Sequence, residues 1–254
     1  YRLFKNSADI NGGTMKKRII ASILTVIMLM TMLQTAALAA DGEGTEAVAS
    51  TTPQAAIYLD QQHGADSNDG LTKESAVQSI VKANELAESN HTNDIYLTSF
   101  YKITGAEVWD LGGKTIHRYG LGGYMIELVN ASASLTLSNV VIDGAEYTVE
   151  ATHAAETDSI IKAANGGTIV LKSGAVLQNN KAAQFGSSIL ANNGVNITME
   201  DGAIIRNNTN RNYELGGGIL IGNGSTFTMN GGEISGNTAN GGGGVAIIGS
   251  TMVM

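Results

Sequence analysis

Large apolar residues alternate with smaller, mostly polar residues in four short segments of the second half of the chain. The segments are residues 168–171, 196–199, 226–229 and 251–254, and successive copies lie 25 to 30 residues apart. A period of two with one apolar side is typical of a strand with one buried face. The pattern therefore predicts one buried column formed by Ile169, Ile197, Phe227 and Met252, and a second formed by Leu171, Met199, Met229 and Met254.

These copies are too short to bury their apolar faces alone, so they must stack on one another. Repetition at this length indicates a solenoid, in which each repeat contacts its neighbours. Parallel strands stacked at about 4.8 Å would join the apolar columns into one continuous core. The fold class predicted is therefore all-β: a single-stranded parallel β-helix, right-handed by the rule for parallel crossover connections.

Two further sets of residues recur after the first strand of each repeat. A second buried strand column is predicted from Val176, Ile204 and Ile234. An asparagine follows at one turn, at Asn179, Asn207 and Asn237. Asparagine tolerates a left-handed backbone, and its amide can bond the copies above and below it. We therefore expect an asparagine stack beside the second column.

The N-terminal segment has the pattern of an exported chain. Residues 15–39 are predicted to be a signal peptide, with a basic start, an apolar run over residues 19–33 and a small-residue cleavage site ending at Ala39. A membrane anchor is the alternative, but the run is short for a span of about 20 residues. Residues 1–14 are interpreted as upstream translation that is not native, and residues 40–56, acidic and proline-containing, as a linker.

Residues 57–94 are predicted to open the β-helix with a first strand and a helix over residues 73–89. One apolar face of that helix is formed by Ala76, Ile80, Ala83 and Leu86. An exposed first turn would present unpaired strand edges and an open apolar end. The helix is therefore interpreted as the N-terminal capping α-helix.

Residues 95–254 are then assigned to the parallel β-helix itself. The repeat stops in the middle of a strand at Met254, and no second cap follows it. Solenoids need a terminal cap to cover their last apolar turn. We therefore expect the β-helix to be incomplete at its C-terminus.

A loop between the first strand and the helix carries candidate metal ligands. Asp66, Asn68 and Asp69 supply hard oxygen atoms beside Gly70, which is the donor type that Ca²⁺ prefers. The loop lacks the acidic residue that would close an EF-hand, and such turns also form without metal. Calcium is therefore one of two interpretations, and no other cofactor is predicted.

Four segments carry a resemblance to a known family: IYLDQQHGADSNDGLTKESAVQSIVKANELA, AEVWDLGGKTI, LTLSNVVIDG and GGEISGNTA. They resemble secreted bacterial pectate-lyase-like β-helix proteins, notably repetitive surface proteins of the adhesin type. The resemblance covers residues 57–254 and implies secretion. The protein is expected to be either free outside the cell or attached to the cell surface through a region beyond residue 254. It does not imply an activity, because this fold carries lyases, hydrolases, adhesins and stalks alike.

Catalytic motifs of that family are missing from the chain. No proline follows Pro53, so the Arg-x-Pro-x-x-Arg motif of pectate lyases is absent. Glycoside hydrolysis generally uses two carboxylates, but Glu200 and Asp201 have no acidic counterpart in the neighbouring copies. Lys162 is aligned with the apolar residues Ala191, Ile221 and Ile247. It is therefore interpreted either as an inward-facing catalytic base or as a residue at a strand end whose amine reaches water.

Charge and composition limit the classes of partner that the chain is expected to bind. The net charge is −8 over the chain, which disfavours nucleic acid and anionic membrane surfaces, and no membrane span is predicted after signal cleavage. Trp109, the only tryptophan, is expected in the core rather than as a sugar-stacking platform.

The function expected is that of a secreted or cell-surface stalk or adhesin without catalysis, which contacts extracellular polysaccharide or a host or cell-surface glycan. The alternative is a polysaccharide lyase or glycoside hydrolase whose active-site turns are missing from this chain. We favour the first interpretation and expect no cleavage of polygalacturonate.

Overall fold

A computed structural model describes residues 56–146, 158–182, 186–210 and 215–254. The predicted signal peptide and nearly all of the predicted linker lie outside the described residues.

The described chain winds into a parallel β-helix of about five turns. One helix, α1 (Ile80–Ser89), lies between the first two strands. The strands are β1 (Ile57–Leu59), β2 (Asp94–Leu97), β3 (Tyr101–Ile103), β4 (Ala106–Arg118), β5 (Ile126–Leu128), β6 (Ser134–Glu146), β7 (Ile161–Ala163), β8 (Thr168–Leu171), β9 (Ala175–Gln178), β10 (Lys181–Ala182), β11 (Ile189–Asn192), β12 (Asn196–Met199), β13 (Ile204–Arg206), β14 (Thr209–Asn210), β15 (Ile219–Gly222), β16 (Thr226–Met229), β17 (Glu233–Ser235), β18 (Val245–Ile248) and β19 (Thr251–Val253).

Strands from successive turns stack in parallel and form three faces. The first face holds β1, β2, the second half of β4, the second half of β6, β9, β13 and β17. The second face holds β3, β5, β7, β11, β15 and β18. The third face holds the first halves of β4 and β6, and then β8, β12, β16 and β19. The predicted all-β parallel β-helix is therefore confirmed.

The buried columns on the third face lie in the predicted register. Ile197 pairs with Phe227, and Met199 pairs with Met229. Ile169 and Leu171 pair with the same two β12 residues from the other side. All but Met229 are fully buried, so each turn adds two apolar side chains to a continuous core.

The second strand column is shifted by one residue from the prediction. Ile234 pairs with Ile205, and Ile205 pairs with Leu177. Val176 and Ile204 lie on the outward side and are only half-buried. The cause is a turn that is one residue shorter in the last copy. Gly232 in this turn has φ +88°, and a Cβ there would lie 2.8 Å from the Met199 methyl carbon.

The same shortened turn moves the asparagine stack by one position. Asn180, Asn208 and Asn237 form it, rather than Asn179, Asn207 and Asn237. The Asn208 backbone N–H donates to the Asn237 side-chain oxygen at 2.9 Å, and the Asn180 backbone N–H donates to the Asn208 side-chain oxygen at 3.0 Å. The positions before them, Asn179 and Asn207, have left-handed backbones at φ 60° and 57°.

A buried arginine continues the asparagine stack towards the N-terminus. Arg118 is fully buried, and its guanidinium donates to the Leu121 carbonyl at 2.9 Å and to the Asn180 side-chain oxygen at 3.2 Å. Gly144, on β6, lies between them, and a Cβ there would come within 2.5 Å of the Asn180 Cβ. The missing side chain at Gly144 therefore leaves room for Arg118 to reach Asn180.

The N-terminal end of the core is covered by α1, as the prediction of a capping helix requires. Ile80, Ala83 and Ala87 are its buried residues. The predicted start at residue 73 is wrong, because Ser79 caps the helix and accepts a hydrogen bond from the Lys82 amide at 3.1 Å. The segment before it instead borders β1, where the Val77 amide donates to the Tyr58 carbonyl at 2.9 Å.

Trp109 is buried in the core, as predicted. Its ring meets Tyr101 edge-to-face at 5.0 Å between centroids. The indole N–H donates to the Glu107 carboxylate at 2.8 Å, which satisfies its one polar group. Trp109 is therefore not available on the surface as a platform for sugars.

The strand register can be tested with a carboxylate on each side of β12. Met199→Asp is expected to lower the free energy of unfolding by several kcal/mol, because it buries an unpaired charge. Thr198→Asp, on the outward side of the same strand, is expected to change it by no more than about 0.5 kcal/mol. Equal losses in chemical denaturation would contradict the register.

The space above Asn180 can be tested with a single methyl group. Gly144→Ala is expected to destabilise the protein by about 1–3 kcal/mol, because the added Cβ overlaps the Asn180 side chain. Gly105→Ala is the control, since a Cβ there meets nothing within 4 Å. Thermal unfolding of both variants measures the difference, and a Gly144→Ala variant as stable as the control would contradict the packing.

Candidate functional site

The first face presents aromatic side chains to the outside over its first three strands. Tyr58 pairs with Tyr96, and Tyr96 pairs with His117. Their neighbours along each strand, such as Ile57 and Ile95, point into the core and are fully buried. Strand alternation therefore places the three rings in one outward column. With Tyr119, which follows β4, they form what we call the tyrosine patch.

The rings of the tyrosine patch contact one another. Tyr96 stacks on Tyr119 with centroids 4.9 Å apart and an interplanar angle of 15°. Tyr58 meets both tyrosines edge-on, at 5.3 Å and 5.4 Å, and His117 meets Tyr96 edge-on at 5.6 Å. All four side chains are half-buried. The contacts hold the rings in fixed orientations while part of each stays accessible.

Carboxylates lie beside the patch. The His117 Nε2 atom lies 2.7 Å from the Asp94 Oδ1 atom, and the Asp94 side chain is 46% exposed. The pKa of Tyr58 is raised by burial, by its contact with Tyr119 and by the negative charge of Glu74. Tyr58 is therefore held as a neutral phenol, and the charge next to it is negative.

Polar side chains continue the same outward column on the following turns. His117 pairs with Asp143, Asp143 with Gln178, and Gln178 with Arg206. The Gln178 side-chain amide donates to the Asp143 carboxylate at 2.9 Å and accepts from the Arg206 guanidinium at 2.8 Å. Aromatic and hydrogen-bonding groups thus follow each other along the helix axis on a single face.

A second, smaller aromatic cluster lies on the outside of the second face. Phe100 and Tyr124 meet edge-on at 5.6 Å, and the Tyr124 hydroxyl donates to the Glu127 carboxylate at 3.0 Å. Burial and Glu127 raise the pKa of Tyr124 to about 12. Lys162 lies 3.4 Å from the Glu127 carboxylate and 4.6 Å from the Tyr124 ring centroid.

The predicted alignment of Lys162 is wrong by one residue. Ala163, not Lys162, pairs with Ala191 and continues the buried column of the second face, while Lys162 pairs with Leu190. Two consecutive apolar residues, Ile160 and Ile161, precede it and hide the strand alternation in the sequence. Lys162 is therefore an outward residue engaged by Glu127 and not an inward base.

The residues predicted as calcium ligands bind parts of the cap. Asp66 Oδ1 accepts the amide N–H groups of Gln78 and Ser79 at 2.9 Å and 2.8 Å. The Asn68 side-chain amide donates to the Ala76 carbonyl at 2.9 Å, and Asp69 Oδ1 accepts from the Ser75 hydroxyl at 2.6 Å. The loop is therefore tied to the segment that leads into α1.

Calcium at Asp66, Asn68 and Asp69 stays a prediction. Within the described residues, no group of three or more His, Cys, Asp or Glu side chains is arranged to hold a metal ion. The arrangement itself supports a structural role for the loop.

Sequence reasoning missed the tyrosine patch, although a signal for it exists. The triplets Ile57-Tyr58-Leu59 and Ile95-Tyr96-Leu97 carry a tyrosine between two apolar residues. Aligning them requires the knowledge that the first two strands pair directly across the inserted helix. His117 and Tyr119 then fall beside them.

The cap loop predicts a specific response to acid. Burial raises the pKa of Asp66, but hydrogen bonds from Ser79 and Gln78 outweigh it, and the pKa lies below the ordinary 3.8. A carboxyl group with a lowered folded-state pKa stabilises the fold above its unfolded pKa, and this stabilisation is lost as the pH falls through the folded value. When the pH is lowered from neutral to about 3, the melting temperature of the Asp66→Asn variant should therefore fall less than that of the parent protein. An equal loss would contradict the role of this carboxylate.

Comparisons with known proteins leave the site to be interpreted from its geometry. No protein-family model matches the sequence, and no curated protein or solved structure gives a significant match. Within the described residues, no helix is both long and apolar enough to cross a membrane.

Proposed function

We propose that this protein is a secreted or cell-surface β-helix that contacts a glycan through the tyrosine patch, without catalysing a reaction on it. The observation that carries the proposal is the placement of Tyr58, Tyr96 and Tyr119 on the outer surface, in contact with one another. Export rests on the pattern of residues 15–39 and on the resemblance to secreted β-helix proteins.

The rings of the tyrosine patch are not needed to fill the core. The core beneath them is made by Ile57, Leu59, Ile95 and Leu97, all essentially without exposed surface. Tyrosine on a protein surface supplies a rigid apolar ring together with a hydrogen-bonding hydroxyl. Sugar rings have both apolar C–H faces and hydroxyl groups, so such a patch fits them.

The shape of the face also suits a polymer. Successive outward side chains stand about 4.8 Å apart along the helix axis, and the polar residues Asp143, Gln178 and Arg206 extend the column beyond the rings. A chain of sugars lying along this column would meet aromatic groups first and hydrogen-bonding groups next. Stalk and adhesin proteins need binding of this kind without turnover.

A binding test separates the patch from the rest of the surface. Native gel electrophoresis through xylan, mixed-linkage β-glucan, chitosan or polygalacturonate should show retardation of the protein by at least one polymer. Tyr96→Ala and Tyr119→Ala should each weaken that binding roughly threefold to tenfold, because each removes an aromatic contact.

Val108→Ala is the matched control, because Val108 is an outward residue of the third face and is 72% exposed. It should bind as the parent protein does. Retardation that is unchanged in both tyrosine variants, or absent with all four polymers, would contradict the proposal.

A further inference from the structure

Carboxylates lie beside the accessible side of the tyrosine patch, whereas the guanidinium of Arg118, between His117 and Tyr119 in the sequence, is fully buried and donates to the Leu121 carbonyl. Asp94 lies on β2, two residues before Tyr96, and binds His117 at 2.7 Å. Glu74 is exposed, and its negative charge is one of the causes that raise the pKa of Tyr58. Asp143 is the register partner of His117 on the next turn. A ligand seated on the rings therefore has the Asp94 carboxylate beside His117 and the negative charge of Glu74 near Tyr58.

Positive charge lies farther along the same column. The next basic side chain after His117 is Arg206, three strands on, which is about 14 Å at the spacing of parallel strands. Its Nε and one terminal nitrogen donate to the Gln178 side-chain oxygen. The chain as a whole carries a net charge of −8, so its long-range field attracts cations.

We propose that the ligand of the tyrosine patch is an amine-bearing glycan, of which a chain of glucosamine units is the simplest example. This inference rests on the proposed function and adds the chemical class of the ligand.

An ammonium group and a sugar ring use different parts of this site. The ammonium group is attracted to the faces of the tyrosine rings and to the carboxylates of Asp94 and Glu74. The C–H face of the sugar packs on the same rings. An N-acetylated sugar can pack on the rings in the same way but carries no positive charge. A uronate chain would instead place its carboxylates against Asp94 and Glu74, where like charges repel each other.

The test compares three ligands of equal length by isothermal titration calorimetry: oligosaccharides of glucosamine, of N-acetylglucosamine and of galacturonate. The buffer is mildly acidic, so that the glucosamine amines are protonated. Glucosamine oligosaccharides should bind most tightly, and added salt should weaken their binding more than it weakens the binding of the N-acetylated oligosaccharides. Galacturonate oligosaccharides should bind most weakly.

Charge-neutralising variants locate the effect. Glu74→Gln and Asp94→Asn should each weaken glucosamine binding about threefold and leave N-acetylglucosamine binding unchanged. Glu200→Gln is the control, because it removes the same charge from a turn on a late repeat. It should leave the affinities for both oligosaccharides unchanged. Glu74→Gln keeps the inference testable even if Asp94→Asn disturbs His117.

The outcomes distinguish this inference from the proposed function. If galacturonate or N-acetylglucosamine oligosaccharides bind at least as tightly as glucosamine and still depend on Tyr96, the amine inference is wrong and the glycan patch stands. If no ligand binds in a manner that depends on Tyr96, the inference is wrong and the proposed function loses its support from these sugars.

Discussion

Backbone hydrogen bonding between successive turns is the constraint on which the rest of this structure depends. It fixes the strands at about 4.8 Å and forces residues in register to lie directly above one another. Within that spacing, side chains alternate between core and surface. The core therefore grows by apolar pairs such as Ile197 with Phe227. A change in the length of a repeat must be taken up in the turns that join the strands, as in the shorter turn that contains Gly232.

The same constraint creates the candidate site. Tyr58, Tyr96 and His117 are far apart in the sequence, with helix α1 inserted between the first two, yet register brings their rings into contact. The insertion covers the end of the core and leaves the outer face of the first strands open. Stability and the proposed binding thus use opposite sides of the same strands, so a change on the outer side need not disturb the core.

The repeated part of the fold could be predicted from the sequence because its copies share one alternation. Prediction failed where two neighbouring residues are both apolar: Ile204 and Ile205 fit either side of a strand, and only the paired turn shows that Ile205 is buried. The start of α1 at residue 80 depends on the Ser79 cap and on the pairing of Val77 with β1, a non-local contact. The tyrosine patch was missed for the same reason, since it exists only once β1 and β2 are paired.

The most direct test of this account is hydrogen–deuterium exchange of the full chain with and without the polymer that retards it most strongly. Binding at the tyrosine patch should slow exchange in peptides that contain β1, β2 and the second half of β4. Peptides from β16 and β19, on the third face, should exchange at the same rate in both samples. Protection confined to the third face would contradict the central claim that the outer side of the first strands is the binding surface.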